Sequence, residues 1–313
     1  CAFVAWQAQA GEAQAKVGEL LRRCRKLGTA ITQTWGRAMI DFHAHMGRLY
    51  REDYPEKHYL TAAQLVDRMN RDGVDLAVVL PLESPEGGWG YSLTEECVAA
   101  RNEFPHRLIA FMCIDPRYPD VEELFDVCVE EHGCKGFGEH VPGLPFDHEI
   151  NQVIYRKCAD YNMPIDIEIG SVCTDDPGLP RLEAMLKEYP DCTFVGHGPG
   201  FWANISGDYN NEGGYPPGPI APDGALDRLM GEYENLFADL SAGSGWNAMS
   251  RDPEFFDGFI ERNWQRLLYG SDICWASQEI PQVQWMHELD IRPEVYEAIA
   301  EGNARQILGL DDE

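Results

Sequence analysis

The stretch that decides the fold is residues 39–47, which read MIDFHAHMG. Its first half is the apolar run of a β-strand. Its second half stands where an open, doubly wound α/β sheet usually carries a glycine-rich phosphate loop. The chain has histidines in place of that loop, so the closed alternative, a (β/α)8 barrel, is favoured.

The rest of the chain repeats one pattern, in which apolar β-type runs alternate with amphipathic stretches. The predicted strands lie at 39–43, 74–80, 108–114, 135–139, 165–169, 193–196, 236–240 and 267–270. The predicted helices lie at about 61–72, 92–103, 120–132, 148–162, 179–189, 223–233, 253–263 and 281–300. Such alternation implies parallel strands, and eight repeats in about 250 residues are typical of an α/β TIM barrel. We predict this fold over residues 39–313.

The chain is strongly acidic. Its 313 residues hold 25 lysines and arginines against 53 aspartates and glutamates, which gives a formal net charge of -28. A surface of this sign repels phosphate backbones and anionic headgroups, so we expect no nucleic-acid partner and no membrane partner. No apolar stretch approaches the roughly 20 residues that a membrane helix needs. The expected partner is a small-molecule substrate.

Residues 1–38 differ in pattern from the rest of the chain. Apolar side chains recur at helical spacing between residues 17 and 27, with basic residues interleaved. This pattern predicts an N-terminal helical extension. An alternative role for this helix is to pack against a partner subunit in a homo-oligomer.

The ten cysteines contain no CxxC pair and are too dilute for a disulfide framework. Several lie in apolar or amphipathic runs, where a free cysteine behaves as a small core residue. We therefore expect a reduced, cytoplasmic protein.

The stretch 39–47 also carries the sharpest chemical signal. Side chains alternate faces along a strand, so His43 and His45 should project to one side, with Asp41 below them. Two imidazoles at this spacing can hold one cation. The alternative is two unrelated polar residues at the end of a strand. Their position favours the cation, because barrel enzymes build their sites at the carboxyl ends of the strands.

The sixth and eighth predicted strands end in similar residues. Asp272 closes the run YGSD at 269–272 and should point into the barrel mouth, unless it caps the next helix. His197 ends the run FVGH at 194–197, where the alternative is a satisfied core histidine. Together with the first strand, these residues place three histidines and one aspartate at the same end of one barrel.

Five motifs stand in a characteristic order: DFHAH at 41–45, FVGHGPG at 194–200, ADLS at 238–241, LLYGSD at 267–272 and GNARQILGL at 302–310. In these motifs the chain resembles the amidohydrolase superfamily, in the branch similar to aminocarboxymuconate-semialdehyde decarboxylase. The resemblance implies a metal-dependent barrel with one divalent metal ion, and it leaves a second ion open. His43 and His45 would be ligands. Asp272 would be a ligand and proton acceptor, and His197 a ligand or catalytic electrophile.

One position departs from that branch. Its members usually carry a metal-binding histidine at the end of the fifth strand, and Glu168 occupies this slot, with Asp166 on the same face one step deeper. We predict that Glu168 is a metal ligand. A carboxylate would favour Mn, Mg or Fe more than an all-imidazole site does, although Zn also accepts carboxylate. The alternative is that Glu168 contacts only the substrate or another ligand.

Substrate contacts are expected from the fourth strand and from the loops. Glu139 and His140 end that strand, and alternation lets only one of them face inward. An inward Glu139 would hold a substrate hydroxyl or bridge a second cation, and the alternative is an ion pair with a neighbouring arginine or lysine. Trp202 and Trp246 would form an aromatic wall of the substrate pocket. The alternative is that both rings only contribute to packing within the protein. Arg251 would bind a substrate carboxylate, or pair with acids on the surface.

The predicted function is metal-assisted hydrolysis of a small-molecule ester, lactone or amide, with Asp272 as the proton acceptor. The alternative is non-oxidative decarboxylation of an aromatic or unsaturated carboxylic acid, which the same branch performs. An arginine cluster formed by Arg48, Arg51 and Arg251 would favour that alternative. A third hypothesis is a metal-free barrel that serves as a binding subunit, and the missing histidine of the fifth strand is its only support.

Overall fold

The computed structural model describes residues 38–48, 59–84 and 92–310. The helical extension predicted for residues 1–38 lies outside them, apart from Ala38. Four two-residue strands of the described chain form two separate pairs, Gly47–Arg48 with Tyr59–Leu60 and Leu144–Pro145 with Cys173–Thr174. Eight longer-range parallel strands, which we label β1 to β8, each overlap a predicted strand. They are β1 Ile40–Ala44, β2 Leu76–Val79, β3 Leu108–Ala110, β4 Phe137–His140, β5 Pro164–Glu168, β6 Thr193–His197, β7 Leu236–Asp239 and β8 Leu267–Leu268.

The eight strands follow one another around a ring. Strand β2 lies between β1 and β3, and the strands from β4 to β8 form a second sheet in chain order. A backbone bridge between Met112 and Phe137 joins β3 to β4, and a bridge between Ala44 and Ile273 joins the chain after β8 to β1. The Phe42 N–H also donates to the Tyr269 carbonyl at 2.9 Å. This is the strand order of a (β/α)8 barrel, as predicted.

Helices follow the strands. They are α1 Ala62–Asp72, α2 Thr94–Glu103, α3 Val121–Glu130, α4 Glu149–Asp160, α5 Pro180–Glu188, α6 Pro199–Ala203, α7 Ala225–Glu232, α8 Ala242–Arg251, α9 Pro253–Asn263, α10 Pro281–Glu288, α11 Pro293–Glu297 and α12 Asn303–Leu308. Helix α1 shows why the helices could be predicted. It begins at a capping box between Thr61 and Gln64 and ends at Gly73, whose φ of 77° suits glycine. None of the described helices is both long and apolar enough to cross a bilayer.

Two helices lie in segments that the sequence pattern assigns to loops. Helix α6 opens the segment 198–222, and α8 directly follows β7. The start of α8 reads Ala-Gly-Ser-Gly, which hides its helical character, because glycine and serine are weak helix formers. The glycine is needed for packing: a Cβ on Gly245 would lie 2.5 Å from the Leu240 carbonyl oxygen.

The barrel interior is apolar at one end and polar at the other. Ile40, Val78, Ile109, Val195 and Phe237 belong to one buried cluster, although their strands lie on different sides of the ring. Such residues can meet only inside the barrel. Residues of α12 join this cluster, so the interior beneath the site is packed.

Candidate metal centre

His43 of β1 and His45, which directly follows this strand, face each other at the mouth of the barrel. Their Nε2 atoms lie 3.1 Å apart. The Nδ1 atom of His45 lies 2.9 Å from the Leu80 carbonyl oxygen, and Nδ1 of His43 lies 2.7 Å from Asp239 Oδ2. Because a carbonyl oxygen only accepts, His45 carries its proton on Nδ1, and the carboxylate beside Nδ1 of His43 would favour the same tautomer when a cation lies at Nε2. That arrangement is favourable when a cation lies between the two rings, which is how metal-binding imidazoles are oriented.

Two carboxylates face the same pair of nitrogens. Asp272 Oδ1 lies 3.5 Å from His45 Nε2 and 4.0 Å from His43 Nε2. Glu139 Oε2 lies 3.3 Å and 3.7 Å from the same two atoms. The ligand atoms of His43, His45 and Asp272 fall within 4.8 Å of one another, a spacing that can hold a metal ion. The structure thus brings these three predicted ligands together, and it adds Glu139.

Asp272 is held in an unusual backbone conformation. Its φ of 52° lies in the left-handed region, which is uncommon for residues other than glycine and often marks a functional site. The Asp272 N–H donates to the His43 carbonyl at 2.8 Å, and the Gln278 side-chain amide donates to the Asp272 carbonyl at 2.8 Å. Ser271 donates from its N–H and its hydroxyl to the buried carboxylate of Asp41. These bonds tie the turn after β8 to β1 and fix the carboxylate at the mouth.

Asp239 at the end of β7 orients two imidazoles. Its Oδ2 lies 2.7 Å from His43 Nδ1 and 3.2 Å from His197 Nδ1, and the Ser241 hydroxyl donates to the same oxygen at 2.8 Å. Burial raises the pKa of Asp239, but the two histidines outweigh burial and hold that pKa below its usual range. In the sequence Asp239 stood out only within the ADLS motif. Its position at a strand end was the signal that could have identified it.

The centre carries more buried acid than base. Asp166 is fully buried, neither of its carboxylate oxygens has a hydrogen-bond partner, and Oδ2 lies 3.5 Å from His43 Nδ1. Burial lowers the pKa of His197, as does the charge of His43, but Asp239 and Glu139 outweigh both and raise it to about 9. Buried carboxylates are costly without a compensating positive charge. The electrostatics therefore favour a cation at the imidazole Nε2 atoms.

Gly270 lets β8 approach this cluster. A Cβ at this position would lie 2.3 Å from Asp239 Oδ1 and 3.1 Å from the Cβ of His43. Both neighbours are fully buried, so neither can move aside without disturbing the centre. The glycine of the YGSD motif is therefore a packing requirement of the site.

Glu168 ends β5, and its Cα pairs with that of His197 on β6. Its side chain is half-buried and lies against Gly198, where a Cβ would be 2.5 Å from Glu168 Cγ. In the described part of the chain, the carboxylates within 4 Å of the His43 and His45 Nε2 atoms are those of Glu139 and Asp272. Ligation by Glu168 stays a prediction.

Of the two residues that end β4, Glu139 faces the centre and His140 faces the helices. His140 Nε2 lies 3.3 Å from Asn151 Oδ1, and its ring packs edge-on against Phe137 and Tyr155. Burial lowers the pKa of His140 to about 4, so the ring is neutral. His140 is thus not brought to the site.

The two tryptophans expected to line a substrate pocket lie on helices. Trp202 on α6 is 1% exposed, packs against Phe256 and Phe259, and donates its indole N–H to the Asp239 carbonyl at 2.9 Å. It supports the end of β7 from within the core. Trp246 on α8 is half-buried and packs against the main core. Substrate contact by either ring stays a prediction.

Arg251 ends α8. Its Nη1 lies 3.5 Å from the Pro216 carbonyl oxygen, and its Nε and Nη2 atoms are buried without a hydrogen-bond partner. Arg48 is exposed, and Arg51 lies outside the described residues. The arginine cluster that would favour a carboxylate substrate therefore stays a prediction.

Fold and site together define a TIM-barrel protein with a cation-binding cluster at its mouth. The family model for amidohydrolases matches residues 40–310, and the chain belongs to that family. This confirms the resemblance seen in the motifs, and with it the prediction of an enzyme. None of the curated proteins matches the chain significantly.

Solved structures share the fold at low sequence identity. An uncharacterized TIM-barrel protein from Bordetella bronchiseptica is 16% identical, with 88% of this chain and 100% of that chain covered and a TM-score of 0.63. The 5-carboxyvanillate decarboxylase from Novosphingobium aromaticivorans, complexed with manganese and 4-hydroxy-3-methoxy-5-nitrobenzoic acid, is 16% identical, with 88% and 97% of the two chains covered and a TM-score of 0.60. A probable 2-pyrone-4,6-dicarboxylic acid hydrolase from Acinetobacter baumannii is 15% identical, with 87% and 99% covered and a TM-score of 0.57. These likenesses confirm the TIM barrel.

Proposed function

We propose that this protein is a metal-dependent hydrolase that acts on a small-molecule ester, lactone or amide. The observation that carries the proposal is the 3.1 Å approach of the His43 and His45 Nε2 atoms, with Asp272 within 4.0 Å of both. These three residues would hold one divalent ion of Zn, Mn, Mg or Fe, and Glu168 is the fourth ligand that the sequence predicts. A second ion stays open.

The protein's own residues divide the work of hydrolysis. A divalent ion bound here would act as a Lewis acid toward water and a carbonyl oxygen. Asp272 would take the proton of the attacking water, because its side chain is 26% exposed whereas those of His43 and Glu139 are at most 5% exposed. His197, whose pKa is raised to about 9, would donate from Nε2 to the developing oxyanion. Asp239 would hold that ring in place through Nδ1.

The charge of the site favours a neutral carbonyl substrate. Glu139, Asp166, Asp239 and Asp272 form ion pairs only with imidazoles among the described residues. Apart from the ion itself, an anionic substrate would meet mainly carboxylates at these positions, whereas a neutral ester, lactone or amide would not be repelled by them. This supports hydrolysis over decarboxylation.

Decarboxylation of an aromatic or unsaturated acid is the second candidate. It is supported by the structural similarity to 5-carboxyvanillate decarboxylase and by the two unpaired guanidinium nitrogens of Arg251, which could bind a carboxylate. In that reaction His197 would protonate the carbon that loses CO2.

Parallel assays separate the two candidates. Protein loaded with Mn²⁺ or Zn²⁺ would be assayed for proton release on a panel of lactones, esters and amides, and for trapped CO2 on hydroxybenzoic acids. We expect proton release that disappears after chelation and in His43→Ala, with no CO2. CO2 from an acid would instead establish the second candidate. Full activity in protein shown to be metal-free would refute both.

The partners and the location of the protein are also proposals. A small-molecule substrate and no nucleic-acid partner agree with the net charge of -28. A cytoplasmic location is supported by the cysteines of the described residues, which are all buried and form no disulfide there. Homo-oligomerisation is testable by sedimentation of the full chain.

A further inference from the structure

We propose that Glu139 is a metal ligand, and that it fills the coordination position which the sequence assigns to Glu168. This inference rests on the proposed function, since it concerns the same ion. Glu139 Oε2 lies 3.3 Å from His45 Nε2 and 3.7 Å from His43 Nε2. The corresponding distances of the predicted ligand Asp272 are 3.5 and 4.0 Å. Glu139 is therefore the closer of the two carboxylates.

The distances from Glu139 to the two imidazoles suit ligands that share one ion. Donors about 2.0–2.2 Å from one ion in a tetrahedron stand about 3.3–3.6 Å from one another. His43, His45 and Glu139 are separated by 3.1, 3.3 and 3.7 Å, and Asp272 lies 3.5 and 4.0 Å from the two imidazoles. Each carboxylate can therefore share an ion with the same pair of Nε2 atoms. With Glu139 bound, two carboxylates would offset the charge of the ion, and the attacking water would occupy a fifth position.

The backbone delivers Glu139 to this place. Its N–H donates to the Pro81 carbonyl at 3.0 Å, and its carbonyl accepts from the Cys113 thiol at 3.2 Å. The preceding Gly138 has φ 139°, and a Cβ there would lie 2.7 Å from the Asp166 carbonyl oxygen. Only glycine lets β4 approach β5 this closely. The carboxylate is thus fixed by main-chain bonds on both sides.

The environment of Glu139 calls for a cation. Its side chain is 5% exposed, and its charged partners are the imidazoles of His43, His45 and His197, the last at 3.9 Å. No arginine or lysine of the described chain pairs with it, so the structure does not show the ion pair considered as its alternative role. A buried carboxylate of this kind is stabilised by an ion shared with those imidazoles.

Glu168 lies elsewhere at the mouth. Its side chain runs along Gly198, and its Oε1 atom would be 3.6 Å from a Cβ on Gly170. Among the described residues, the carboxylate contacts within 4 Å of the His43 and His45 Nε2 atoms are made by Glu139 and Asp272. Within this distance, a residue of the neighbouring strand β4 therefore takes the place that the sequence assigns to the residue in the usual histidine position.

Matched substitutions test the assignment. Glu139→Gln and Glu168→Gln each replace one carboxylate by an isosteric amide. Mn²⁺ and Zn²⁺ binding to the chelator-stripped full chain would be measured by calorimetry, and the visible spectrum of the Co²⁺-loaded protein would report the donor set. We expect Glu139→Gln to weaken binding by at least about 100-fold and to change the Co²⁺ spectrum. Glu168→Gln should stay within about threefold of the unaltered protein and keep its spectrum.

A stability measurement shows that any loss is not unfolding. Without metal, both variants should still unfold in one cooperative transition, and the rise in Tm on adding metal should be clearly smaller for Glu139→Gln than for the parent. Normal metal binding by Glu139→Gln, or loss of metal by Glu168→Gln, would overturn the assignment. If the parent itself bound no divalent ion, or His43→Ala bound it equally well, the proposed function would fail first.

Discussion

Asp239 Oδ2 lies 2.7 Å from Nδ1 of His43, inside the barrel and out of contact with solvent. The same oxygen lies 3.2 Å from Nδ1 of His197. One carboxylate therefore sets the ring orientation of a proposed ligand and of the proposed oxyanion donor. Loss of its charge should affect metal binding and turnover together.

Asp239→Asn should weaken metal binding by about 10–100-fold, the range found when a carboxylate behind a metal-binding histidine is removed. The amide can keep its oxygen toward both rings only by presenting its NH2 group to the Ser241 N–H, which donates to Oδ1 of Asp239 at 2.9 Å, so the side chain cannot satisfy all three donors. Calorimetric titration with Zn²⁺ measures the effect. Ser241→Ala, which removes only the hydroxyl that supports Asp239, is the control and should have the smaller effect. Equal affinity of Asp239→Asn and the parent would contradict this role.

Gly270→Ala should destabilise the fold by about 1–3 kcal/mol, the usual cost of forcing a methyl group into a packed interior. The new Cβ would meet Asp239 Oδ1 at 2.3 Å. Urea unfolding measures the change. Gly231→Ala on α7 is the matched control, since no atom lies within 4 Å of its Cβ position, and alanine should stabilise that helix by about 0.5–1 kcal/mol. A neutral Gly270→Ala would show that β8 can shift away from the centre.

Local patterns in the sequence predicted most of the fold and part of the centre. The convergence of His43, His45 and Asp272 was predictable, because parallel strands of one barrel bring their carboxyl ends together. The spacing of His43 and His45 places both on one strand end. Neither inference needs the packing of distant side chains.

The remaining features depend on that packing. Strand alternation shows that Glu139 and His140 face opposite sides of β4, but it does not show which of them faces inward. The roles of Asp239 and Trp202 depend on the height of β7 relative to β1 and on the helix α6 behind it. Helix α8 was missed because its glycine and serine residues serve close packing rather than helix formation.

His140 should make stability depend on pH. Burial lowers its folded pKa from 6.5 to about 4, although the hydrogen bond with Asn151 opposes this. Between these values the unfolded chain binds a proton that the folded chain does not. Neutral His140 therefore contributes roughly 3 kcal/mol to the free energy of unfolding. This contribution is fully present above pH 6.5 and is lost as the pH falls toward 4.

The measurement compares urea unfolding of the parent and of His140→Gln at pH 7 and pH 4, both in chelator so that metal release does not intervene. Between pH 7 and pH 4, the free energy of unfolding of the parent should fall by roughly 3 kcal/mol more than that of the variant. Parallel losses in the two proteins would mean that His140 accepts a proton in the folded state.

Asp272→Asn should separate proton transfer from metal binding. The amide can still ligate weakly but cannot take a proton from water, so kcat for hydrolysis should fall by about 10²–10⁴-fold. Metal content, measured on the same sample at saturating Zn²⁺, should remain near that of the parent, because His43, His45 and Glu139 still face one another within 3.7 Å. Glu168→Gln provides the comparison for a carboxylate at the same mouth. An Asp272→Asn enzyme that retains both full metal content and full kcat would show that another base accepts the proton, and Glu168 would then be the first residue to examine.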